Sequence, residues 1–355
     1  MGISWPKTKL TSLLGIDLPI IQAGMAGGST TPELVAAVSN AGGLGTLGAG
    51  YMSPKAIREA IRRIRELTSR PFAVNLFIPG ATKASDEQVQ AVNRRLDRYR
   101  RELGIPTGIT LELQTETFLD QLAVVLEERV HVFSFTFGIP EATQMNELKS
   151  TGIRVIGTAT TVREAVLLEQ AGVDAVVAQG SEAGGHRGTF AGSFDASQIG
   201  TMALVPQVVD HVSIPVIASG GIMDGRGIIA SLFLGAAGVQ MGTAFLTCSE
   251  SGAHELHKLA ILQATEEDTR LTRAFSGKPA RGIVNRFMRE MAPYDKDIPD
   301  YPAQNALTRD IRQAAGQQQR PEFMSMWAGQ GVRLATTQSA GTLIQRWVQQ
   351  VESLR

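Results

Sequence analysis

Short apolar runs alternate with amphipathic helical patterns along most of this chain, and this alternation limits the folds that it can adopt. The runs are nearly continuous in hydrophobic residues, as expected for parallel strands buried on both faces. They are Pro19–Ala23, Leu44–Leu47, Phe72–Leu76, Val132–Phe135, Arg154–Gly157, Ala175–Ala178, Pro215–Ala218 and Gly238–Met241. Eight strand–helix units in series predict an α/β fold, a closed (β/α)8 TIM barrel rather than an open sheet.

Two segments are too long for this repeat. Residues 78–130 contain a charged helical pattern, about Asp86–Leu103, which we expect to form an excursion over the barrel mouth, and a second helix near Thr117–Glu128. Residues 249–316 are predicted to form a small inserted cap or substrate domain, so that the barrel comprises residues 1–248 and 317–355. Phe323–Leu354 is expected to return as closing helices. The alternative role of both segments is oligomer packing or surface elaboration.

Composition excludes several classes of partner. Basic and acidic side chains both number 34, so the net charge is zero and there is no global basic field to attract nucleic acid or an anionic membrane. No run of eighteen apolar residues is present. The single cysteine, Cys248, rules out an intramolecular disulfide, and no group of His, Cys, Asp and Glu has metal-ligand spacing. These features predict a soluble, cytoplasmic protein without a metal; a homo-oligomer is compatible with them.

A glycine-rich loop that carries one histidine follows the sixth predicted strand. His186 lies in Gln179-Gly180-Ser181-Glu182-Ala183-Gly184-Gly185-His186-Arg187-Gly188. Glycines such as Gly184 and Gly185 let backbone amides approach a ligand, and a histidine there can exchange protons or polarise a bound group. In such barrels the active site lies at the carboxyl ends of the strands, where this loop begins. We therefore predict that His186 is catalytic. Glu182 either orients it or is a surface carboxylate.

Three strand ends carry an amide side chain: Asn75, Gln179 and Gln240. Such an amide either satisfies the neighbouring backbone or recognises the edge of a ligand, and three of them at one mouth would suit a ring rich in carbonyls and nitrogens. The loop after the first strand contains Gly24 and Met25, which offer a close backbone approach and a soft apolar contact. Its alternative interpretation is a tight turn.

The loops after the last two predicted strands indicate a phosphate-binding site. Phosphate sites in these barrels are commonly built by the loops after strands seven and eight. Those loops contain Ser219, Gly220, Gly221, Gln240, Met241, Gly242 and Thr243. Cys248 lies beyond them with no histidine beside it, so thiolate catalysis is disfavoured.

Taken together, these motifs resemble those of nitronate monooxygenases, formerly called 2-nitropropane dioxygenases, and are most similar to the bacterial class I. The resemblance also covers Phe275-Ser276-Gly277-Lys278-Pro279-Ala280-Arg281-Gly282 and Trp327-Ala328-Gly329-Gln330. It implies a non-covalent FMN and a catalytic His186. The residues that it places at the cofactor are Gly24, Met25, Asn75, Gln179, Gly184, Gly185, Ser219, Gly220, Gly221, Gln240, Met241, Gly242 and Thr243. Gly24 stands where many members have proline.

The resemblance further implies oxidation of alkyl nitronates by O2, through one-electron transfer to FMN, to give carbonyl compounds and nitrite. Propionate 3-nitronate is the expected example. For an anionic nitronate, His186 would stabilise negative charge, whereas for a neutral nitroalkane it would first remove the α-proton. The alternatives are an FMN-dependent, NADH-consuming enoyl-acyl-carrier-protein reductase and a non-redox barrel enzyme or binding protein for a phosphate ligand.

Overall fold

Eight parallel strands form the centre of the fold. A computed structural model describes residues 4–80, 84–110 and 117–355. The strands of the described residues are β1 (Ile20–Gln22), β2 (Gly45–Gly48), β3 (Phe72–Phe77), β4 (Val132–Thr136), β5 (Arg154–Ala159), β6 (Ala175–Gln179), β7 (Gly185–His186), β8 (Val216–Ser219), β9 (Gly238–Met241), β10 (Thr269–Thr272) and β11 (Ala280–Ile283). The eight strands of the barrel are β1 to β6, β8 and β9. The order β1-β9-β8-β6-β5-β4-β3-β2, closed by a parallel bridge between Ile21 and Leu44, confirms the predicted (β/α)8 barrel.

Helices surround this sheet. They are α1 (Lys9–Leu14), α2 (Pro32–Asn40), α3 (Pro54–Leu67), α4 (Asp86–Glu102), α5 (Phe118–Glu127), α6 (Ala142–Ser150), α7 (Val162–Gln170), α8 (Thr201–Val209), α9 (Gly225–Phe233), α10 (Thr243–Leu246), α11 (Glu255–Gln263), α12 (Arg286–Met291), α13 (Ala303–Leu307), α14 (Arg309–Gln317) and α15 (Ala340–Leu354). Sequence sets their starts: Thr31 and Ser53 each cap a helix whose first residue is proline.

A second hydrophobic cluster lies beside the barrel core. It joins α4, through Leu96 and Tyr99, to side chains of the later segment such as Phe287, Leu307 and Phe323. Helix α4 packs in the second cluster and none of its residues lines the central cavity, and its role as an excursion over the mouth stays a prediction. Residues 81–83 and 111–116 of the predicted excursion lie outside the described residues. The division of the chain at residues 249 and 316 stays a prediction.

Two features differ from the sequence-based expectations. Of the closing helices expected over Phe323–Leu354, the structure has only α15 and a short 3-10 turn at Val332–Leu334. The stretch before it is irregular because its backbone is bonded to barrel loops: Gly329 N donates to Thr243 Oγ1 at 2.9 Å and Gln330 N to the Glu182 carbonyl at 2.9 Å. The histidine loop was expected to be free of regular structure, yet Gly185–His186 forms β7.

Strand β7 pairs antiparallel with β11, and β11 pairs with β10, so the three form a small sheet over the barrel mouth. In this register His186 lies opposite Ala280 and Gly185 opposite Arg281. The later segment thereby contacts the loop that carries the predicted catalytic residue. Within the described residues no helix is both long and apolar enough to cross a membrane; the cytoplasmic location stays a prediction.

Candidate active site

A cavity of about 1060 Å³ opens at the carboxyl ends of the barrel strands. All but one of the predicted site residues line it: Gly24, Met25, Asn75, Gln179, Gly184, Gly185, His186, Ser219, Gly220, Gly221, Gln240, Gly242 and Thr243. The exception is Met241, which is packed in the barrel core. Successive side chains of a strand point to opposite faces, so Gln240 faces the cavity and Met241 cannot. The Met241 side chain is therefore not part of the cavity wall, and a contact of its peptide group with the cofactor stays a prediction.

His186 lies among aromatic rings. Its imidazole centre is 5.5 Å from that of Trp327 and 5.7 Å from that of Phe137. Burial, followed by the positive charges of Lys278 and Arg312, lowers its pKa to about 3. The imidazole is consequently neutral at physiological pH, with one nitrogen that donates and one that accepts.

Ser276 is the hydrogen-bond partner of that imidazole. Its Oγ lies 2.8 Å from His186 Nε2 and 3.1 Å from the Lys278 carbonyl oxygen. A serine hydroxyl has one proton, so it donates either to Nε2 or to that carbonyl. In the first case the imidazole proton is on Nδ1, and in the second it is on Nε2. The hydroxyl of Ser276 therefore decides which tautomer of His186 is present.

Gln179 holds the histidine loop in place. Its Nε2 donates to the His186 carbonyl at 3.1 Å, and its Oε1 accepts from Gly188 N at 2.8 Å. Of the two roles expected for a strand-end amide, support of the neighbouring backbone is the one that these contacts demonstrate. Asn75 also has a protein partner, because its Nδ2 donates to Ser134 Oγ at 2.9 Å.

Glu182 neither orients His186 nor stands free at the surface. Its carboxylate accepts from Thr201 N at 2.9 Å and from Thr201 Oγ1 at 2.9 Å. The same hydroxyl lies 2.9 Å from the Gly220 carbonyl oxygen. Both alternatives considered for Glu182 are thus wrong, since the residue ties the histidine loop to the loop after β8.

Backbone lines the cavity on the side of β8 and β9. Gly221 has a φ of 71°, a conformation that residues with a Cβ rarely adopt. At Gly184 a Cβ would lie 2.5 Å from Gly329 N, so two backbone segments meet here without side chains between them. The loops after β8 and β9 and the late Gly329 segment therefore present peptide groups to the cavity, the arrangement that suits a phosphate.

Comparisons with known proteins agree with this geometry. A family model described as nitronate monooxygenase matches residues 7–350. A "Probable nitronate monooxygenase" from Staphylococcus aureus (strain N315) is 51% identical over 351 residues, which cover 99% of each chain. The structure of a nitroalkane oxidase from Streptomyces ansochromogenes has a TM-score of 0.91 at 43% identity and covers 97% of this chain and 98% of that one. The chain belongs to the nitronate monooxygenase family.

A second solved structure is less similar. FabK from Thermotoga maritima has a TM-score of 0.78 at 33% identity, with 98% of this chain and 97% of that chain covered. The family assignment makes this protein an oxidoreductase. Enzymes of the nitronate monooxygenase family are generally flavin-dependent.

Most residues of this enzyme's cavity wall were not among the predicted site residues. Ser276 and Trp327 belong to motifs that carry the resemblance, and those motifs could have pointed to them. No comparable signal marks several further wall residues from the loops after β2 and β4 and from the later segment, among them Tyr51, Phe137, His254, His257, Tyr301 and Arg312.

His186 is also not the one imidazole at the cavity. His254, which caps α11, and His257, which lies within that helix, both line it. The buried His257 lies with Nε2 3.0 Å from the Trp327 carbonyl oxygen, to which it donates. Burial lowers the pKa of His257 to about 4. A neutral His257 thus supports the backbone of the tryptophan whose ring packs on His186.

Cys248 is buried, and burial raises the pKa of its thiol to about 12. A thiol that stays protonated is a poor nucleophile, which supports the expectation against thiolate catalysis. In residues 4–80, 84–110 and 117–355, no three side chains of His, Cys, Asp or Glu are arranged to hold a metal ion.

Proposed function

We propose that this enzyme is an FMN-dependent nitronate monooxygenase that oxidises alkyl nitronates with O2 to carbonyl compounds and nitrite. The observation that carries the proposal is a neutral His186 at a cavity whose wall includes Arg312, with the positive charges of Lys278 and Arg312 both acting on its imidazole. The cations favour an anion in this cavity, and a nitronate is an anion.

The residues present fit an FMN. Pockets of about 300–1,000 Å³ accept ligands of drug size, and this cavity, at about 1060 Å³, is slightly larger than that range. Peptide groups around Gly221, Thr243 and Gly329 would hold the phosphate, and Met25 and Asn75 would contact the ring. When bound, FMN supplies the redox chemistry, as it accepts electrons from the substrate. The protein supplies position and charge.

The pKa of His186 favours a nitronate over a neutral nitroalkane. A general base works best with a pKa near the working pH, and an imidazole with a pKa of about 3 is too weak to remove a proton from carbon efficiently. A neutral imidazole can still donate. If Ser276 Oγ–H donates to Nε2, the proton on Nδ1 is available to an anionic nitronate oxygen.

Lys278 contributes positive charge close to this imidazole. Its ammonium lies 4.5 Å from the centre of the Phe137 ring and 3.4 Å from the Thr189 carbonyl oxygen. Neither partner is an acid, and the carboxylates of Glu164 and Asp300 act on Lys278 only from a distance, opposing the lowering of its pKa by burial. Phe137 has a φ of 81°, which is costly for a bulky residue and is typical of functional sites. Phe137 thus separates Lys278 from His186 while forming part of the substrate wall.

We also propose that residues 249–316 act as a substrate domain. They supply Ser276, Tyr301 and Arg312 to the cavity. Nitronate and O2 are then the small-molecule partners, and propionate 3-nitronate is the expected substrate.

The test is an O2 electrode assay on the purified protein with propionate 3-nitronate, together with nitrite determination and identification of the released flavin. Fast O2 uptake with nitrite and without NADH would support nitronate oxidation. A parallel assay supplies NADH and an enoyl thioester. NADH oxidation in that assay, with no turnover of nitronate, would replace the proposal with the reductase; a colourless protein would refute both.

A further inference from the structure

Arg312 is a cation at the cavity that has no acidic partner. Its Nε donates to Thr308 Oγ1 at 3.2 Å, and its Nη2 donates to the carbonyl oxygen of Asn305 at 2.7 Å and to the side-chain Oδ1 of Asn305 at 2.9 Å. These acceptors are neutral. Among the ion pairs of the described residues, none includes Arg312. Three neutral acceptors hold the guanidinium in a fixed position without cancelling its charge.

The carboxylates near this side of the cavity are engaged elsewhere. Asp310, two residues before Arg312 on α14, pairs with the buried Arg100 at 2.7 Å. Asp300 pairs with Arg273 at 2.8 Å. Neither carboxylate forms an ion pair with Arg312, although the negative charge of Asp310 partly opposes the lowering of the pKa of Arg312 by burial.

The guanidinium is close enough to influence the catalytic site. After burial and the charge of Lys278, Arg312 is the next influence that lowers the pKa of His186. Burial also lowers the pKa of Arg312 itself. A partly buried cation without a counter-ion is unfavourable, and a bound anion offsets that cost. An arginine held in this way presents a planar fork that matches a carboxylate.

We propose that Arg312 binds a carboxylate of the substrate, at the end away from the nitronate group, and so selects nitronates that carry a second negative charge. The identity of the substrate in this inference rests on the proposed function, whereas the anion site rests only on the contacts of Arg312. His186 and Lys278 then face the reacting end of the molecule and Arg312 faces the other end. Arg312 is a specificity-determining residue and takes no part in the proton or electron transfer.

The kinetic test uses the holoenzyme and two nitronates that differ in the second charge. These are propionate 3-nitronate and propyl-1-nitronate, in which a methyl group replaces the carboxylate. The measured quantity is the ratio of the two kcat/KM values. We expect Arg312→Gln to lower this ratio about 10- to 100-fold, the loss typical of one charge-assisted contact. Arg312→Lys, which keeps the charge but not the fork, should give an intermediate ratio.

Arg289→Gln is the matched control. Arg289 lies on α12 in the same segment, is exposed and does not line the cavity, so its loss makes the same change in net charge. The control should leave the ratio as in the wild type. An equal loss for both nitronates in Arg312→Gln, or a ratio that does not change, would overturn the role of Arg312.

A binding measurement separates this inference from the proposed function. Succinate, a dianion that cannot be oxidised as a nitronate, is titrated into each holoenzyme by isothermal titration calorimetry. If the wild type binds succinate and Arg312→Gln binds it at least 10-fold more weakly, the anion site is supported. This holds even if neither nitronate is turned over and the proposed function fails. Equal succinate affinity in the two proteins, or no binding by the wild type, overturns the site, even if nitronates are oxidised.

Discussion

His186 Nε2 lies 2.8 Å from Ser276 Oγ, although the two residues are 90 positions apart in the sequence. The pairing of β7 with β11 brings them together, since it places His186 opposite Ala280. The hydroxyl that selects the tautomer of the imidazole thus comes from the later segment and not from the barrel. This relationship makes the chemistry of the site depend on how the segment docks.

Replacement of Ser276 by alanine should impair turnover while leaving the flavin bound. Without the hydroxyl, His186 is free to adopt either tautomer, and we expect kcat with a nitronate to fall about 3- to 10-fold, the effect of one neutral hydrogen bond. Ser276→Thr, which keeps the hydroxyl, should restore most of the activity. Nitrogen-15 shifts of the imidazole report the tautomer directly; unchanged shifts in Ser276→Ala would contradict this role.

Replacement of His186 by asparagine should retain the flavin yet lower kcat about 100-fold or more, the loss typical of a donor that stabilises negative charge in a transition state. His211→Asn is the control, because that exposed histidine at the end of α8 bonds only to the Gln207 carbonyl. Steady-state O2 uptake and flavin absorbance are measured on both proteins. Wild-type kinetics in His186→Asn would remove this histidine from the mechanism.

Gly221→Val should abolish flavin binding. A branched side chain is strained at a φ of 71°, and the added Cβ would lie 3.3 Å from Glu182 Cβ in the proposed phosphate loop. Gly152→Val introduces the same kind of strain, at a φ of 78°, in a position with no neighbouring atoms and outside the cavity. Gly152→Val should therefore lose stability but keep its flavin. A fully loaded Gly221→Val, by absorbance and released flavin, would place the phosphate elsewhere.

Acid should destabilise the fold partly through His257. Its pKa is about 4 in the folded protein against an ordinary value of 6.5, so the unfolded chain takes up a proton first as the pH falls. Stability is therefore lost between pH 6.5 and 4, and at pH 5 this residue should account for about 2 kcal/mol. Urea unfolding at pH 7.5 and pH 5 measures that loss.

His257→Asn is the comparison for this measurement. Its free energy of unfolding should fall less than that of the wild type between the two pH values. The loss of the bond to the Trp327 carbonyl lowers stability at both pH values and cancels in the difference. If the free energy of unfolding fell by the same amount in the two proteins, His257 would not be held neutral by burial.

The barrel could be predicted from sequence nearly to the residue. Val132–Phe135 was expected as a strand and Val132–Thr136 is one, while Gly238–Met241 has the expected bounds. Parallel strands buried on both faces are continuous apolar runs, which are a strong local signal. The closing segment was predicted less well. Its residues before α15 have helical composition in places, but bonds to Glu182 and Thr243 hold them irregular.

The active site, like the fold, could be predicted from sequence only in part. Sequence alone indicated His186 and the glycine loops, because strand ends and the glycines that follow them are features of a few neighbouring residues. Only the tertiary structure decided that Ser276 bonds to His186, that Glu182 holds Thr201, and that Met241 faces the core. The pKa of His186 and the uncompensated charge of Arg312 depend on burial and on groups far away in the chain. Such long-range contacts leave no local pattern, so the chain has to fold before they exist.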